Sequence, residues 1–407
     1  MGISFIAELQ NSVSSFATGV IRANQIYSLL KHHDLWREEA YNTFKDLLQQ
    51  MRYLEASDID LGGPACDGYI WLRVYGDKKP YENLGRFCED EVIIMLLSLL
   101  TDDQVQTLFA FKNIDFSLSM QFDESKETDT FSRFRGDIYF ECNEIVANFR
   151  RINEKLFHYN ELGFHELIVR RMNLKYEKSG LYLITGITGS GKSSTLDSIV
   201  DMNNHTNQAH IVIISSPIEF IHQSDKCIIR HREVGEDVES FQKGTFQALR
   251  QDPDIIVVGE MRDARTIATV LEATDSGHKL FSTLHTSNAV DSIHRIIAEF
   301  PPAEQDRVRM RLADTLRVII SQKLVPTKNG KLLMCKEVLS VDDSVKAAIR
   351  NKNIGEIYQM ITEGKKTGMI SMEQDLFNHY ISGNISKATA LNYANNPKRM
   401  DQLIMYS

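Results

Sequence analysis

Residues 181–195, LYLITGITGSGKSST, decide the fold of this 407-residue chain. The first five of them, 181–185, are mostly apolar and predict a buried strand. They lead into 186–193, GITGSGKS, which matches the P-loop pattern G-x-x-x-x-G-K-[ST] at every position. A helical spacing of apolar residues begins at Leu196. A strand, a glycine loop and a helix in this order predict a phosphate-binding loop, and the alternative is an ordinary glycine turn.

Each residue type in this loop has a chemical task. Glycines let backbone N–H groups converge on phosphate oxygens, and the helix N-terminus adds partial positive charge. We expect Lys192 to reach the β- and γ-phosphates and the Ser193 hydroxyl to bind Mg²⁺. The predicted nucleotide-binding residues are Gly189, Ser190, Gly191, Lys192, Ser193 and Ser194.

Composition and charge exclude several classes of protein. A hydrophobic share of 43% and a charged share of 25% are typical of a soluble globular protein. The net charge of −9 disfavours a nucleic-acid binder, so no nucleic-acid partner is expected. Five scattered cysteines contain no C-x-x-C pair, which indicates neither a zinc site nor a disulfide scaffold and fits a reducing compartment. Without a basic leader or a long apolar run, the chain is predicted to be cytosolic.

The order of elements predicts an α/β protein with additions at both ends. Residues 1–50 have a helical apolar spacing, which favours packing on their own domain over docking to a partner. Several short strands with helices between them follow, up to about residue 152. Apolar strands separated by helices then predict a parallel sheet covered on both faces. The predicted core strands are 181–185, 211–215, 255–258 and 280–284, and the tail from about residue 341 is helical.

Two carboxylates follow predicted core strands. Glu260 ends the apolar segment that begins at Ile255, at the edge where ligands of parallel sheets gather. It is predicted to hold a Mg²⁺-bound water or to polarise the attacking water, and the alternative is a solvated strand-end acid. Glu219 follows Pro217 on a loop and could orient or deprotonate water. Taken alone, Glu219 is more simply a solvated loop residue.

Two histidines and two arginines are weaker candidates. His278 and His285 flank the fourth core strand, where a histidine can bond a phosphate or a carboxylate or can be purely structural. Arg135 and Arg150 lie on predicted strands of the first domain. Exposed arginines usually contribute little, whereas a multimeric NTPase needs a cation on the γ-phosphate, often from a neighbouring subunit.

The four motifs together resemble one superfamily. GITGSGKSST, SSPIEF, DPDIIVVGEMRDARTI and DSGHKLFSTLHT are similar, in order and spacing, to the motor ATPases of type II secretion and type IV pili. Within that group the chain most resembles the pilus retraction (PilT-like) ATPases. The features behind this are the segment EASDI at 55–59, the absence of a four-cysteine insert, and AIRN at 348–351.

The resemblance implies a fold and an assembly. It implies a RecA-like P-loop core with a smaller α+β, PAS-like N-terminal domain and a helical C-terminal region. A homo-hexameric cytoplasmic ATPase, using ATP and Mg²⁺, would dock at the inner face of the cytoplasmic membrane. There it would drive an inner-membrane pilus platform protein and power retraction and twitching motility. The expected domains are 1–50, a helical extension; 51–155, PAS-like; 156–340, the ATPase core; and 341–407, helical.

The resemblance also assigns roles to the candidate residues. Lys192 and Ser193 match the Walker A lysine and hydroxyl, and Ser193 and Glu260 would bind the metal. Glu260 matches the Walker B glutamate, and Glu219 the catalytic glutamate. The remaining matches are His278 and His285 to the histidine box, and Arg135 and Arg150 to arginines that act across the subunit interface.

Some positions depart from the family pattern. Ser215 and Ser216 stand where the family has Glu-Asp, and Phe246 stands where an arginine is common. These departures leave open a low-activity, nucleotide-gated accessory paralogue that works beside a principal motor. A type IV secretion or plasmid-transfer ATPase is the other alternative, because those enzymes share the same motifs.

Overall fold

The chain forms two structural units. The computed structural model describes residues 2–74, 77–122, 130–152 and 156–406. Unit 1 is Met1–Glu154 and unit 2 is Lys155–Ser407. Within the described ranges, every helix is too short or too polar to cross a membrane.

Unit 1 combines helices with one antiparallel sheet. The sheet has six strands in the order β3-β2-β1-β6-β5-β4. The elements are α1 (Ile6–Ser12), α2 (Gly19–Leu30), α3 (Asp34–Tyr53), β1 (Asp58–Gly62), α4 (Gly63–Cys66), β2 (Trp71–Val74), β3 (Asp77–Pro80), α5 (Glu89–Ser98), α6 (Asp102–Phe111), β4 (Asn113–Phe122), β5 (Thr130–Glu141) and β6 (Glu144–Arg151).

The helices of residues 1–50 pack their apolar faces on the core of unit 1. The apolar spacing of α3 buries Phe44, Leu47 and Leu48 almost completely, in the same hydrophobic cluster as α5 and the sheet. Fully burying side chains of this size contributes about 1.5–3 kcal/mol each to stability. The apolar face that could have docked a partner is therefore used within the unit, and these helices are continuous with the α+β domain.

Unit 2 alternates strands and helices and ends in a helical region. Its elements are α7 (Glu166–Met172), β7 (Gly180–Thr185), α8 (Lys192–Thr206), β8 (His210–Ser215), β9 (Ile228–Glu233), α9 (Phe241–Ala248), β10 (Ile255–Val258), α10 (Ala264–Asp275), β11 (Lys279–Leu284), α11 (Ala289–Ala298), α12 (Pro302–Thr315), β12 (Leu316–Pro326), β13 (Leu332–Ser340), α13 (Asp343–Arg350), α14 (Ile357–Glu363), α15 (Met372–Ile381), α16 (Lys387–Tyr393) and α17 (Pro397–Met405).

The central sheet of unit 2 confirms the predicted α/β fold. Seven strands run in the order β13-β12-β7-β11-β10-β8-β9, all parallel except β13. Alternate residues of each strand enter different cores. Leu181 and Leu183 face one hydrophobic cluster, whereas Tyr182 and Ile184 face the other. Burial on both faces explains why the interior positions of these strands are mostly apolar.

The parallel arrangement gathers the candidate residues. The carboxyl ends of β7, β8, β10 and β11 meet at one edge of the sheet, and each continues into a segment singled out by sequence. β7 leads into the P-loop, β8 into the segment with Glu219, β10 into Glu260 and β11 into His285. Ligands of open parallel sheets bind at this edge.

Candidate active site

The P-loop between β7 and α8 depends on glycine for its shape. Gly186, Gly189 and Gly191 have φ angles of 150°, 78° and 86°, a region that side chains with a Cβ rarely enter. A Cβ on Gly186 would also lie 2.3 Å from the Oγ of Ser190. That hydroxyl is buried, and among the described residues it has no hydrogen-bond partner. Together with the N-terminus of α8, it fits the oxygens of a polyphosphate.

Lys192, the first residue of α8, connects the loop with two acids. Its Nζ donates to the carbonyl oxygens of Gly186 (2.9 Å) and Ile187 (3.1 Å). Burial lowers the pKa of Lys192, whereas the negative charges of Glu260 and Glu219 raise it. Both acids therefore lie within electrostatic range of the ammonium. Three residues predicted from separate motifs are brought together by the fold.

Two side chains contact Glu260, which lies just after the carboxyl end of β10. Its Oε1 lies 3.1 Å from the Nε2 of His285, and its Oε2 lies 2.7 Å from the Nη2 of Arg262. Burial lowers the pKa of His285, and the charge of Lys192 lowers it further, whereas Glu260 opposes the shift. In the uncharged form that this lower pKa favours, the imidazole can donate its Nε2–H to the carboxylate.

Two arginines of this edge were missed by the sequence analysis. Arg262 pairs with Glu260, and Arg295 donates from Nη1 to the carbonyl oxygen of His285 at 3.2 Å. Arg262 stands only two residues after Glu260, which is a detectable signal. Arg295 lies on α11, the helix after β11, and only the folded position of this helix brings its guanidinium to the carbonyl oxygen of His285. Both side chains add positive charge where an anionic substrate is expected.

The oxygen donors at this edge suit a magnesium ion. Ser193, the second residue of α8, offers a half-buried hydroxyl, and Glu260 offers carboxylate oxygens whose orientation is set by Arg262 and His285. Hydroxyl, carboxylate and phosphate oxygens are the ligands that Mg²⁺ prefers. Ser193 and Glu260 therefore fit the predicted metal-binding role.

Glu219 is exposed on the segment that follows β8. The segment turns through a cis peptide bond between Ser216 and Pro217. The Oγ of Ser215 donates to the carbonyl oxygen of Pro217 at 2.9 Å, so this hydroxyl shapes the turn. Glu233, buried at the end of β9, is the register partner of Ser215. A buried carboxylate thus stands beside Ser215, one of the two serines at which the sequence departs from the pattern it resembles.

Gln322 on β12 hydrogen-bonds the P-loop, and the sequence analysis did not identify it. Its side chain is 1% exposed, and its Nε2 donates to the carbonyl oxygen of Ser190 at 2.8 Å. A Cβ on Gly191 would lie 3.2 Å from the same Nε2. The signal in the sequence is weak, because β12 also contains Arg317, Ser321 and Lys323. Its target became visible only once β12 was placed beside β7.

His278 does not belong to this cluster. It precedes Lys279, the first residue of β11, whereas His285 follows the last, so about 20 Å of strand separates them. The Nδ1 of His278 lies 3.1 Å from the carbonyl oxygen of Ala273 and 2.9 Å from the Oγ of Ser276, at the end of α10. This position does not support the nucleotide contact predicted for His278. His278 lies at the amino end of β11, whereas the P-loop lies at the carboxyl ends of the parallel strands.

Arg135 and Arg150 are register partners on β5 and β6 of unit 1. The Nε of Arg150 donates to Asp58 at 2.8 Å, and the Nε of Arg135 donates to Asp115 at 3.0 Å. Both guanidinium groups remain about half exposed, and so does Asp115, whereas Asp58 is buried and also lies 3.6 Å from Arg73. The ion pair between Arg135 and Asp115 is exposed on both sides and therefore contributes only about 0–1 kcal/mol. Their action across a subunit interface stays a prediction.

Comparison with known proteins gives the family of the chain. A family profile described as "Type II/IV secretion system protein" matches residues 140–392. A curated relative from Pseudomonas aeruginosa, "Type IV pilus retractation ATPase PilT", is 35% identical over 80% of this chain and 92% of its own length. "Twitching motility protein" from Neisseria gonorrhoeae is also 35% identical, over 81% of this chain and 85% of its own.

A solved structure agrees with the sequence matches. It is described as "Crystal Structure of the Pilus Retraction Motor PilT and Bound ADP" and is 32% identical to this chain. The two superpose with a TM-score of 0.78 over 88% of this chain and 98% of the other. The chain therefore belongs to the type II/IV secretion system protein family, and it is an ATPase.

Proposed function

We propose that the chain is a magnesium-dependent motor ATPase that retracts a type IV pilus. The observation that carries this proposal is the convergence of Glu260, His285 and Arg262 within electrostatic reach of the P-loop Lys192. The similarity to a retraction ATPase, which extends over most of both chains, supports the choice of pilus retraction.

Nucleotide binding follows from the P-loop. The backbone N–H groups from Gly189 to Ser194 and the buried Oγ of Ser190 would hold the phosphates. Lys192 would exchange its two backbone carbonyls for β- and γ-phosphate oxygens, which are charged and bind an ammonium more strongly. When bound at Ser193 and Glu260, Mg²⁺ supplies charge neutralisation for the phosphates.

Hydrolysis needs a positioned water and positive charge on the γ-phosphate. Glu219 is exposed near the ammonium of Lys192, and it would orient the attacking water. His285 and Arg262 would fix the rotamer of Glu260. Arg135 and Arg150 in unit 1, whose guanidinium groups are about half exposed, are the proposed cations that a neighbouring subunit brings to the phosphate.

The proposed working form is a homo-hexamer on the cytoplasmic face of the inner membrane. A cation supplied by a neighbour requires such an assembly, because one chain then completes the site of the next. The proposed partners are an inner-membrane pilus platform protein and a paralogous pilus motor. Hydrolysis would drive a conformational change that acts on the platform.

Phosphate release by the purified, full-length assembly tests the enzymatic proposal. Wild type should hydrolyse ATP in the presence of Mg²⁺, and Lys192→Ala and Glu260→Ala should reduce kcat at least 100-fold, because each removes a charged group at the phosphates. Equal phosphate release by all three proteins would refute the proposed site.

The two histidines of β11 form a matched pair for the same assay. His285→Asn removes the contact with Glu260, whereas His278→Asn changes the other end of the same strand. We expect a lower kcat only for His285→Asn.

Retraction is tested separately in cells that lack the chain. Wild-type protein should restore twitching and Glu260→Ala should not, whereas twitching with both proteins would refute the motor role.

An accessory, nucleotide-gated paralogue is the second candidate. The hydroxyls of Ser215 and Ser216 replace two acids of the family pattern, and Phe246 is half exposed on α9 where an arginine is common. Such a protein would bind ATP with a similar affinity in wild type and Glu260→Ala, and its phosphate release would stay at background in both. Nucleotide binding without turnover would therefore select this alternative.

A further inference from the structure

A cysteine, an aspartate and a histidine converge far along the chain from the P-loop motif. Cys335 lies on β13, and Asp375 and His379 lie one turn apart on α15. The spacing i, i+4 places the aspartate and the histidine on one face of the helix. Their candidate ligand atoms and the Sγ of Cys335 all lie within 4.8 Å of one another. This convergence was invisible in the sequence, because 39 residues separate Cys335 from Asp375.

We propose that Cys335, Asp375 and His379 form a zinc site, completed by a water molecule, which joins α15 to β13. Thiolate, carboxylate and imidazole are the three kinds of ligand that zinc takes in proteins. Their charges also sum correctly. One thiolate, one carboxylate and a neutral imidazole balance a divalent cation, so no net charge is buried.

The distances require only a small adjustment. Zinc bonds of about 2.0–2.3 Å place tetrahedral ligand atoms about 3.3–3.7 Å apart. The Nε2 of His379 and the Oδ2 of Asp375 are 3.9 Å apart, and no pair exceeds 4.8 Å. Closing the widest gap, from at most 4.8 Å to about 3.7 Å, requires side-chain shifts of about 1 Å.

Neighbouring groups orient the ligands as they do in known metal sites. The Oδ2 of Asp375 accepts the backbone N–H of Lys336 at 2.9 Å. The side-chain amide of Asn384 lies 3.3 Å from the Nδ1 of His379. With its oxygen toward the ring, this amide would accept Nδ1–H and leave Nε2 free for a metal. Both ligands of α15 thus have a partner that fixes their direction.

The thiol differs from an ordinary buried cysteine. Cys335 is fully buried, and within the described ranges its Sγ has no hydrogen-bond partner. In contrast, the equally buried Cys227 donates to the carbonyl oxygens of Asn203 and Asn207. A metal at Cys335 must displace the thiol proton, because zinc binds the thiolate form of cysteine.

Cobalt substitution tests the site in the full-length protein. After removal of metals with a chelator, one equivalent of Co²⁺ should give a thiolate-to-cobalt charge-transfer band in the near ultraviolet. It should also give the intense visible bands of a tetrahedral site. Cys335→Ser should abolish the charge-transfer band, and Cys227→Ser, the matched control, should keep it. A wild-type protein without the band, or a band that persists in Cys335→Ser, would overturn the proposal.

A second variant guards against a folding defect in Cys335→Ser. His379 is partly exposed, so His379→Gln should fold, as far-ultraviolet circular dichroism would verify. Its zinc dissociation constant should rise at least tenfold, and the rise in Tm should be smaller than that of the wild type at the same zinc concentration. An unchanged zinc affinity would show that the metal binds elsewhere, for example at the exposed Cys88 or Cys142, and would refute the site.

Discussion

The hydrogen bond from Gln322 to the P-loop leads to a quantitative prediction. Gln322→Met removes the donor to the carbonyl oxygen of Ser190 and keeps a side chain of similar length. A buried carbonyl that loses its partner costs about 1–3 kcal/mol. If the loop avoids this cost by opening to solvent, nucleotide binding must close it again. The ADP dissociation constant should then rise about 5- to 150-fold.

The stability of the free protein should change much less. The Oε1 of Gln322 is buried, and among the described residues it has no hydrogen-bond partner. The substitution therefore also removes an unsatisfied polar atom, which offsets part of the lost bond. A weaker affinity at nearly constant Tm distinguishes a residue that shapes the P-loop from one that only supports the fold.

Isothermal titration of the full-length protein with ADP and Mg²⁺ measures the effect. Gln305→Met is the matched control, because Gln305 makes the same kind of bond to the carbonyl oxygen of Phe300 on another part of unit 2. The control should bind ADP like wild type. An ADP affinity of Gln322→Met within twofold of wild type would refute the role of this hydrogen bond. An equal loss of ADP affinity in the control would refute it too.

Three further predictions concern stability and loop geometry. Leu47→Ala should lower the free energy of unfolding by about 2–5 kcal/mol in a urea titration, because Leu47 is buried in the core. Leu35→Ala, at an exposed site of the same helix, should change this free energy by less than about 0.5 kcal/mol. Equal effects of the two substitutions would contradict the core role of α3. Burial raises the pKa of Glu337 to about 7, so its protonated form stabilises the fold and this contribution is lost as pH rises from about 4.5 through 7. Glu337→Gln, which can still accept from Ala289, should lessen the fall of Tm across that range, and an unchanged pH profile would contradict the assignment. Gly186→Ala should abolish ADP binding in the same titration, because the new Cβ meets Ser190, and retained binding would show that the loop can adjust.

The order of the motifs, read without a structure, predicted the fold class and most of the residues of the candidate active site. The strands predicted at 181–185, 211–215, 255–258 and 280–284 correspond to β7, β8, β10 and β11 with shifts of at most one residue. Mostly apolar runs that alternate with helices indicate such strands, because parallel strands are buried on both faces. Lys192, Ser193 and Glu260 were found because a P-loop and a strand-end acid are local patterns with fixed chemistry.

Only the tertiary structure decided which partners these residues have. It showed that Gln322 hydrogen-bonds the P-loop and that Arg262 and His285 contact Glu260. It also showed that His278 lies at the amino end of β11, away from the P-loop. It also joined Cys335 to Asp375 and His379, whose spacing resembles no metal motif. The physical reason is the range of the interactions. Burial patterns and loop chemistry act between neighbours in the chain, whereas strand order and register bring together side chains that are distant in sequence.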